Sequence, residues 1–327
     1  MALTNKLSAI GDAIREKTGT TDLLKLDEMP TAIANIESGG GKYAPRYILF
    51  YYYKGTDLDY ELANLDTSNI TDMTNMFYQC TKLTSLDLSH FNTSKVTSMS
   101  YMFYYDYAIE FLDISSFDTS NVTDMSYMFS NLQRLPHLDI THFNTSKVTN
   151  MRGLFSTLSK ITELDVSKLD TSNVTNFNSM FYQCENITSL DLSTFNTSKG
   201  TDIGNLFYGC TKLTTLNVKG WNTQKVTTMS SMFQRCKALT EIDLSDFETP
   251  ALTSLSNTFN GCTLLEKIDM RKFTFSKVTS TSSTFNSVPT NCLIIVKDDT
   301  EKAWLTGKFS TLTNVKTVAE YQAEGGV

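Results

Sequence analysis

The sequence predicts an α/β solenoid of 26-residue coils, each combining a short parallel strand with a short helical turn, behind a short N-terminal helical segment. Three observations carry this expectation. The tetrapeptides LDLS at 86, LDIS at 112, LDIT at 138, LDVS at 164 and LDLS at 190 recur every 26 residues, and LNVK at 216, IDLS at 242 and IDMR at 268 continue the series. A second motif keeps the same beat, from ITDMTNMF at 70 and VTSMSYMF at 96 through to VTSTSSTF at 278. The copies never vary in length, so each is one coil stacked on the next.

The first element is residues 1–38. Leu3, Leu7, Ile10 and Ile14 are spaced 4, 3 and 4 apart, which makes a two-heptad a/d seam and predicts a helical oligomerisation or attachment segment. A glycine hinge at 39–42 follows. The solenoid is expected over 43–296 with an aromatic N-terminal cap, and a C-terminal cap over 297–327.

Within a coil, Leu83, Leu86, Leu88, Phe91 and Asn92 fit a leucine-rich pattern loosened by one position. Alternation at 86 and 88 implies a short strand with Asp87 on its other face, and LDVS implies a strand at 164–166. Met73, Met76 and Phe77, at i, i+3 and i+4, imply a single helical turn with one apolar face. The Met side chains read as adaptable core filler.

Two polar columns follow the period. Asp66, Asn92, Asp118, Asn144, Asp170 and Asn196 alternate in step with Asn69, Lys95, Asn121, Lys147, Asn173 and Lys199. This 52-residue double period keeps like charges from stacking at about 4.8 Å. Asp87, Asp113, Asp139, Asp165 and Asp191 instead stack without relief. An Asx turn, in which each carboxylate accepts a backbone N–H, accounts for that column; a cation or sugar-hydroxyl site on the strand face is the functional alternative.

The chain has 327 residues and a net charge of −7, against the basic stripe that nucleic acid requires. No apolar run approaches the roughly 20 residues of a membrane span, and the charged N-terminus lacks a secretory apolar core. Cys184, Cys210, Cys236 and Cys262 share one register with Cys80 and are expected to be buried free thiols. The three His have no nucleophile at fixed spacing, and no phosphate loop, HExxH or GxSxG occurs. The expectation is a non-enzymatic protein without metal or cofactor.

Departures from the repeat are the informative residues. All of the 15 Tyr except Tyr182, Tyr208 and Tyr321 lie between 43 and 127. Where most coils read MF-x-x-C-x-x-LTSLDLS, one reads MFYYDYAIEFLDIS. Tyr78, Tyr101, Tyr104, Tyr105, Tyr107 and Tyr127 are therefore the candidate ligand platform, with Tyr101 and Tyr127 side by side and Tyr104, Asp106 and Tyr107 on a solvent-facing turn. The strand-face aspartates are the alternative site.

The motif VT-x-M-x-x-MF followed by C-x-x-LTSLDLS-x-FNTS resembles the BspA-like leucine-rich repeats of bacterial surface proteins, over roughly residues 60–296. The resemblance implies a curved solenoid used for adhesion. LIIVKDDTEKAWLTGKF is similar to the closing segment of such arrays. LTNKLSAIGDAIREKTGTTDLLKLDEMPTAI is similar to the N-terminal segment of tail and receptor-binding proteins in phages and prophages of Gram-positive bacteria. Together these imply a phage or phage-derived tail protein in the virion, a homotrimer held through its N-terminus to other tail or baseplate proteins, that binds a bacterial cell-surface glycan or protein. The alternative is a bacterial cell-surface adhesin.

Overall fold

The computed structural model describes residues 50–58, 62 and 65–327; Leu3, Leu7, Ile10 and Ile14, the glycine hinge, Tyr43, Tyr47 and Tyr60 lie outside the described residues. Parallel pairing at 26-residue intervals joins the coils. The unbroken ladder is a column of single bridges from Asp72 to Ser98 and Asp124, then Asn150, Asn176, Asp202, Thr228, Ser254 and Ser280. The leucine-rich half supplies a second ladder in three pieces. β1 (Ser85–Asp87) pairs with β2 (Phe111–Asp113), β3 (Ser189–Asp191) pairs with β4 (Thr215–Asn217), and β5 (Glu241–Asp243), β6 (Lys267–Met270), β7 (Leu293–Val296) and β8 (Val315–Thr317) form a four-stranded sheet. The sequence period sets the register: Leu86 faces Leu112 and Ile268 faces Ile294.

The strand expected at 164–166 is not formed, and residues 137–139 are likewise outside any strand. Pro136 supplies a reason for the second of these. In other coils the residue at its register opens the ladder, as when the Glu110 N–H donates to the Thr84 carbonyl at 2.8 Å and that of Glu266 to Thr240 at 2.7 Å. Proline has no N–H to give.

The expected helical turn is also replaced. Met76, Tyr78 and Cys80 donate to the carbonyls of Met73, Asn75 and Phe77, which closes three successive β-turns. The intervening N–H groups of Asn75, Phe77 and Gln79 donate to Ser100, Met102 and Tyr104 of the next coil at 3.0, 2.9 and 2.8 Å. Asn75 and Gln79 take left-handed φ values of 61° and 57° to permit this alternation. A helix of one or two turns is a costly nucleus with no elongation to follow; tandem turns spend every second N–H between coils instead. Met73, Met76 and Phe77 are nonetheless fully buried, as their spacing requires.

Asx turns shape three places in the coil. Ser68 donates its N–H to Asp66 at 2.9 Å, Thr74 to Asp72 at 2.8 Å and Ser89 to Asp87 at 3.0 Å. The double period has a direct bonding role. Lys95, Lys147 and Lys199 donate to the amide oxygens of Asn69, Asn121 and Asn173 at 2.8, 2.7 and 2.5 Å. Asn121 and Asn173 in turn donate to the carbonyls of Ser94 and Ser146 at 2.7 Å. An ammonium only donates and an amide does both, so alternation links successive coils where repetition of lysine could not.

The core is built of stacked columns. Phe50, Phe77, Phe103, Phe129, Phe155, Phe181, Phe207, Phe233, Phe259 and Phe285 form a continuous ring ladder with centroids 5.3–6.2 Å apart. All six Cys are free and buried. Four of them, Cys184, Cys210, Cys236 and Cys262, donate to the carbonyls of Phe155, Phe181, Phe207 and Phe233 at 3.0–3.1 Å. Burial pushes the Cys184 thiol up to about 12, which keeps it protonated and unreactive.

At the C-terminal end, α1 (Asp299–Lys308) is capped by Asp298, and α2 (Val318–Ala323) opens with a Thr317–Glu320 capping box. Trp304 stacks on Phe275 at 4.7 Å, and buried Glu301 accepts the Phe275 N–H at 3.0 Å. These contacts close the open end of the core.

Candidate functional site

The tandem turns set the geometry of the tyrosine site. Each coil presents one side chain from the register of residue 78 and one from that of residue 75, so aromatic residues at these positions stack along the solenoid axis. Tyr78 lies against Tyr104 at 5.3 Å and Tyr101 against Tyr127 at 4.9 Å, both stacked; ahead of them Tyr52, in the register of Tyr78, meets it edge-on at 5.7 Å, while its off-register neighbour Tyr51 stacks on Tyr78 at 4.9 Å. Tyr104 joins the two columns edge-on, meeting Tyr101 at 5.1 Å, Tyr105 at 4.4 Å and Tyr127 at 5.6 Å. The expected pairing of Tyr101 with Tyr127 is present, and Tyr78, Tyr104 and Tyr105 belong to the same cluster. Tyr107 is exposed and stands apart from these ring pairs.

Beside the rings runs an open groove of about 600 Å³. Tyr51, Tyr78 and Tyr101 line it together with Asp72, Ser98 and Asp124 from the bridge ladder and the buried hydroxyls of Thr74 and Ser100. The Thr74 hydroxyl lies 2.7 Å from that of Ser98 and 3.2 Å from that of Ser100, a chain of hydroxyls between the two carboxylates. Burial raises the Tyr78 and Tyr101 phenols above their ordinary value, so both keep their protons at neutral pH and can donate. The lining therefore offers ring faces, hydroxyls of both senses and two acceptor carboxylates. That combination suits a ligand with apolar C–H faces and many hydroxyls.

Backbone strain marks the same residues. Tyr101, Tyr105 and Tyr127 hold φ values of 56°, 65° and 56°. The register of Tyr101 and Tyr127 is left-handed in every described coil and is filled elsewhere by Asn75, Gly153, Ser179, Asn205, Ser231, Asn257 and Ser283, all smaller than tyrosine, whereas that of Tyr105 also holds Gln79, Thr157, Gln183 and Arg235 in the same conformation. Each tyrosine costs on the order of 1 kcal/mol that asparagine or glycine would largely avoid. Gly153 completes the arrangement: a Cβ there would come within 2.3 Å of the Tyr127 ring, so only glycine lets that ring lie over the next coil. The Arg152 guanidinium sits 5.7 Å from the same ring.

Asp106 contradicts its expected place on a solvent-facing turn. It occupies the register of Cys80, Leu132 and Cys184 and is fully buried. One carboxyl oxygen accepts the Cys80 N–H at 2.6 Å; the other has no hydrogen-bond partner. Burial pushes its carboxyl well above the usual carboxylate range. The turn residues beside it do face outward, Tyr105 and Tyr107 being exposed.

The strand-face column is accounted for by its turns. Asp87, Asp113, Asp139, Asp165 and Asp191 accept the N–H groups of Ser89, Ser115, Thr141, Ser167 and Ser193 at 2.9–3.1 Å. Hydrogen bonds from Ser89 hold Asp87 below the usual carboxylate range, and those from Ser193 do the same for Asp191. No group of three or more His, Cys, Asp or Glu is placed to hold a metal ion among the described residues.

One feature of the site was missed in the sequence. Tyr182 and Tyr208 stack at 4.7 Å with planes 12° apart, in the register of Tyr78 and Tyr104. Their 26-residue spacing is legible in the sequence, but both lie beyond the cluster of tyrosines that ends at residue 127.

The fold is a repeat solenoid of 26-residue coils joined by parallel pairing. The chain belongs to the family described as "Mycoplasma protein of unknown function, DUF285", which matches residues 48–141, 133–217 and 201–312. The match covers the repeats, in agreement with their BspA-like resemblance, and leaves residues 1–47 outside it. No curated protein matches the chain. Among solved structures, the chain is similar to one in the "Crystal structure of TLR13-ssRNA13 complex", at 15% identity with a TM-score of 0.29, covering 76% of this chain and 38% of that one.

Proposed function

We propose that the protein is a receptor-binding component of a phage or phage-derived tail, recognising a bacterial surface glycan or protein through the tyrosine groove of its N-terminal coils. The role is binding without catalysis. The observation that carries it is the placement of Tyr101 and Tyr127 at left-handed positions beside a hydroxyl- and carboxylate-lined groove. The fold does not require tyrosine there, since the same left-handed register is filled elsewhere by Asn, Gly and Ser, and a large ring at such a position supports a use outside the fold. The phage assignment rests on residues 1–38; the same groove on a bacterial surface adhesin is the second reading, favoured by the family match to the repeats.

Tyr78→Ser with Tyr101→Asn is the test. Ser130 and Asn75 already occupy these registers, so the coils accept both residues. The variant is expected to lose at least tenfold in binding to a panel of Gram-positive cells in a pelleting assay, while it still melts cooperatively well above the assay temperature, since the ring contacts it loses belong to the surface cluster and not to the phenylalanine column. Unchanged binding to the cells that retain the wild type would remove the groove from the recognition surface.

The N-terminal segment separates the two readings. Leu7→Asp with Ile10→Asp is expected to convert a trimer to a monomer by light scattering while the far-ultraviolet circular dichroism of the repeats persists. A wild-type chain that is monomeric at micromolar concentration would remove the trimer and weaken the tail assignment in favour of the adhesin.

A further inference from the structure

The tyrosine column does not end at the groove. Tyr78 and Tyr104 are followed at the same register by Ser130 and Ser156, and then by the stacked pair Tyr182 and Tyr208. The intervening serines are buried, so no ring stands in the column between the two pairs. Since the stack runs along the axis, the face of Tyr182 toward Ser156 has no tyrosine of its own column over it. Three coil steps separate Tyr104 from Tyr182, about 14 Å at the spacing of parallel strands, and five separate Tyr78 from Tyr208, about 24 Å.

We propose that Tyr182 and Tyr208 form a second aromatic subsite on the groove's own face, and that the ligand is a linear, neutral glycan lying along the solenoid axis across both subsites. This rests on the recognition role of the first groove. Three observations select this occupant. The groove follows the bridge ladder from Asp72 through Ser98 to Asp124, along the axis, which suits a linear chain. Equivalent positions recur on successive coils about every 4.8 Å, so a linear chain of sugars meets the same side-chain registers repeatedly along the axis. At the first subsite the two carboxylates lining the groove, Asp72 and Asp124, oppose an acidic polymer and accept sugar hydroxyls, and Arg152, 5.7 Å from the Tyr127 ring, adds a donor beside them, so the two signs of charge together favour a neutral chain. A branched or compact ligand would be satisfied by the first groove alone and would leave the distant pair unused.

The span sets the chain length. A disaccharide covers one subsite, whereas about five or six sugars are needed to reach from Tyr78 to Tyr208 at the coil spacing of about 4.8 Å. The experiment is an array of neutral linear oligosaccharides, each printed as a matched disaccharide and hexasaccharide, probed with the full chain. For the bound sequences, the hexasaccharide is expected to bind at least tenfold more tightly than its disaccharide. Tyr182→Ser with Tyr208→Ser, which copies the residues found at 130 and 156, should abolish that gain and leave disaccharide binding unchanged, with melting temperature as the folding control. Tyr78→Ser with Tyr101→Asn should abolish both.

Equal binding of the two lengths, or a length gain that survives loss of Tyr182 and Tyr208, would overturn the second subsite while leaving the first groove in place. Absence of binding to any neutral glycan would overturn the linear-glycan ligand. The cell-pelleting comparison of the Tyr78 and Tyr101 variant would then decide separately whether recognition resides in the groove.

Discussion

Asp106→Leu is expected to stabilise the protein at neutral pH by about 2–4 kcal/mol, the range in which a buried ionisable group is replaced by a well-fitting apolar one. Leu132 and Leu158 occupy the same register in the next two coils and are almost fully buried, so the column already has room for leucine. The hydrogen bond lost is the one from Cys80, whose N–H also reaches the Phe77 carbonyl at 3.2 Å. The sign of the pH dependence follows from the raised carboxyl of Asp106. A carboxyl whose folded pKa exceeds its unfolded value binds its proton more tightly in the native state. It therefore stabilises most below the unfolded value, near 3.9, and that contribution is lost as pH rises toward the folded value, at about 1.4 kcal/mol per unit. The lowered carboxylates such as Asp87 and Asp191 act in the opposite sense, so the readout is the difference between variant and wild type. Urea melts from pH 4 to 8 should show the advantage of Asp106→Leu growing with pH, and Asp106→Asn should remove the same slope. An advantage independent of pH would mean that Asp106 is charged throughout and has a partner.

Asp106 also shows where sequence reading reached its limit. Its register was readable, since 106 lies 26 residues after Cys80, but a carboxylate in a turn suggests solvent, and the usual cost of burying one points the same way. Tertiary stacking overrode that preference. The solenoid period, the strand register, the buried thiols and the Asx turns were all legible because each follows from a spacing of 26. The tandem turns were not: Met73, Met76 and Phe77 at i, i+3 and i+4 fit a helix and three linked turns equally well. The choice was made by hydrogen bonds to the next coil that no single coil encodes. The missing strand near Leu138 follows from one residue, Pro136, inside an otherwise regular copy, whereas nothing in the coil of Leu164 explains the one missing there. In the site, the pairing of Tyr101 with Tyr127 was visible as period. The left-handed backbone beneath them, the need for Gly153 and the carboxylates of the groove emerged only with the turns in place.

The ring ladder makes a final prediction about cooperativity. Phe181 is fully buried and stacks on Phe155 at 5.6 Å and on Phe207 at 5.9 Å, near the middle of the ten-ring column. Phe181→Ala removes both contacts and leaves a cavity that coils fixed by ladders on either side cannot close, at a cost of about 3–5 kcal/mol. Stability in a stacked array is a sum of coil terms and nearest-neighbour interfaces, so a loss at one interface is not shared by distant coils. The array should therefore divide. Guanidinium unfolding of the wild type is expected to be a single transition, whereas Phe181→Ala should show two, each with a smaller m-value, because each exposes only part of the surface. Phe181→Leu, which refills most of the volume, should restore one transition. The same truncation at Phe285, next to the C-terminal cap, should lower stability without splitting the transition, since only the last coils lie beyond it. A single transition with an unchanged m-value in Phe181→Ala would show that the interfaces are strong enough to carry cooperativity across a broken ring column, and that the bridge and strand ladders, not the phenylalanines, couple the coils.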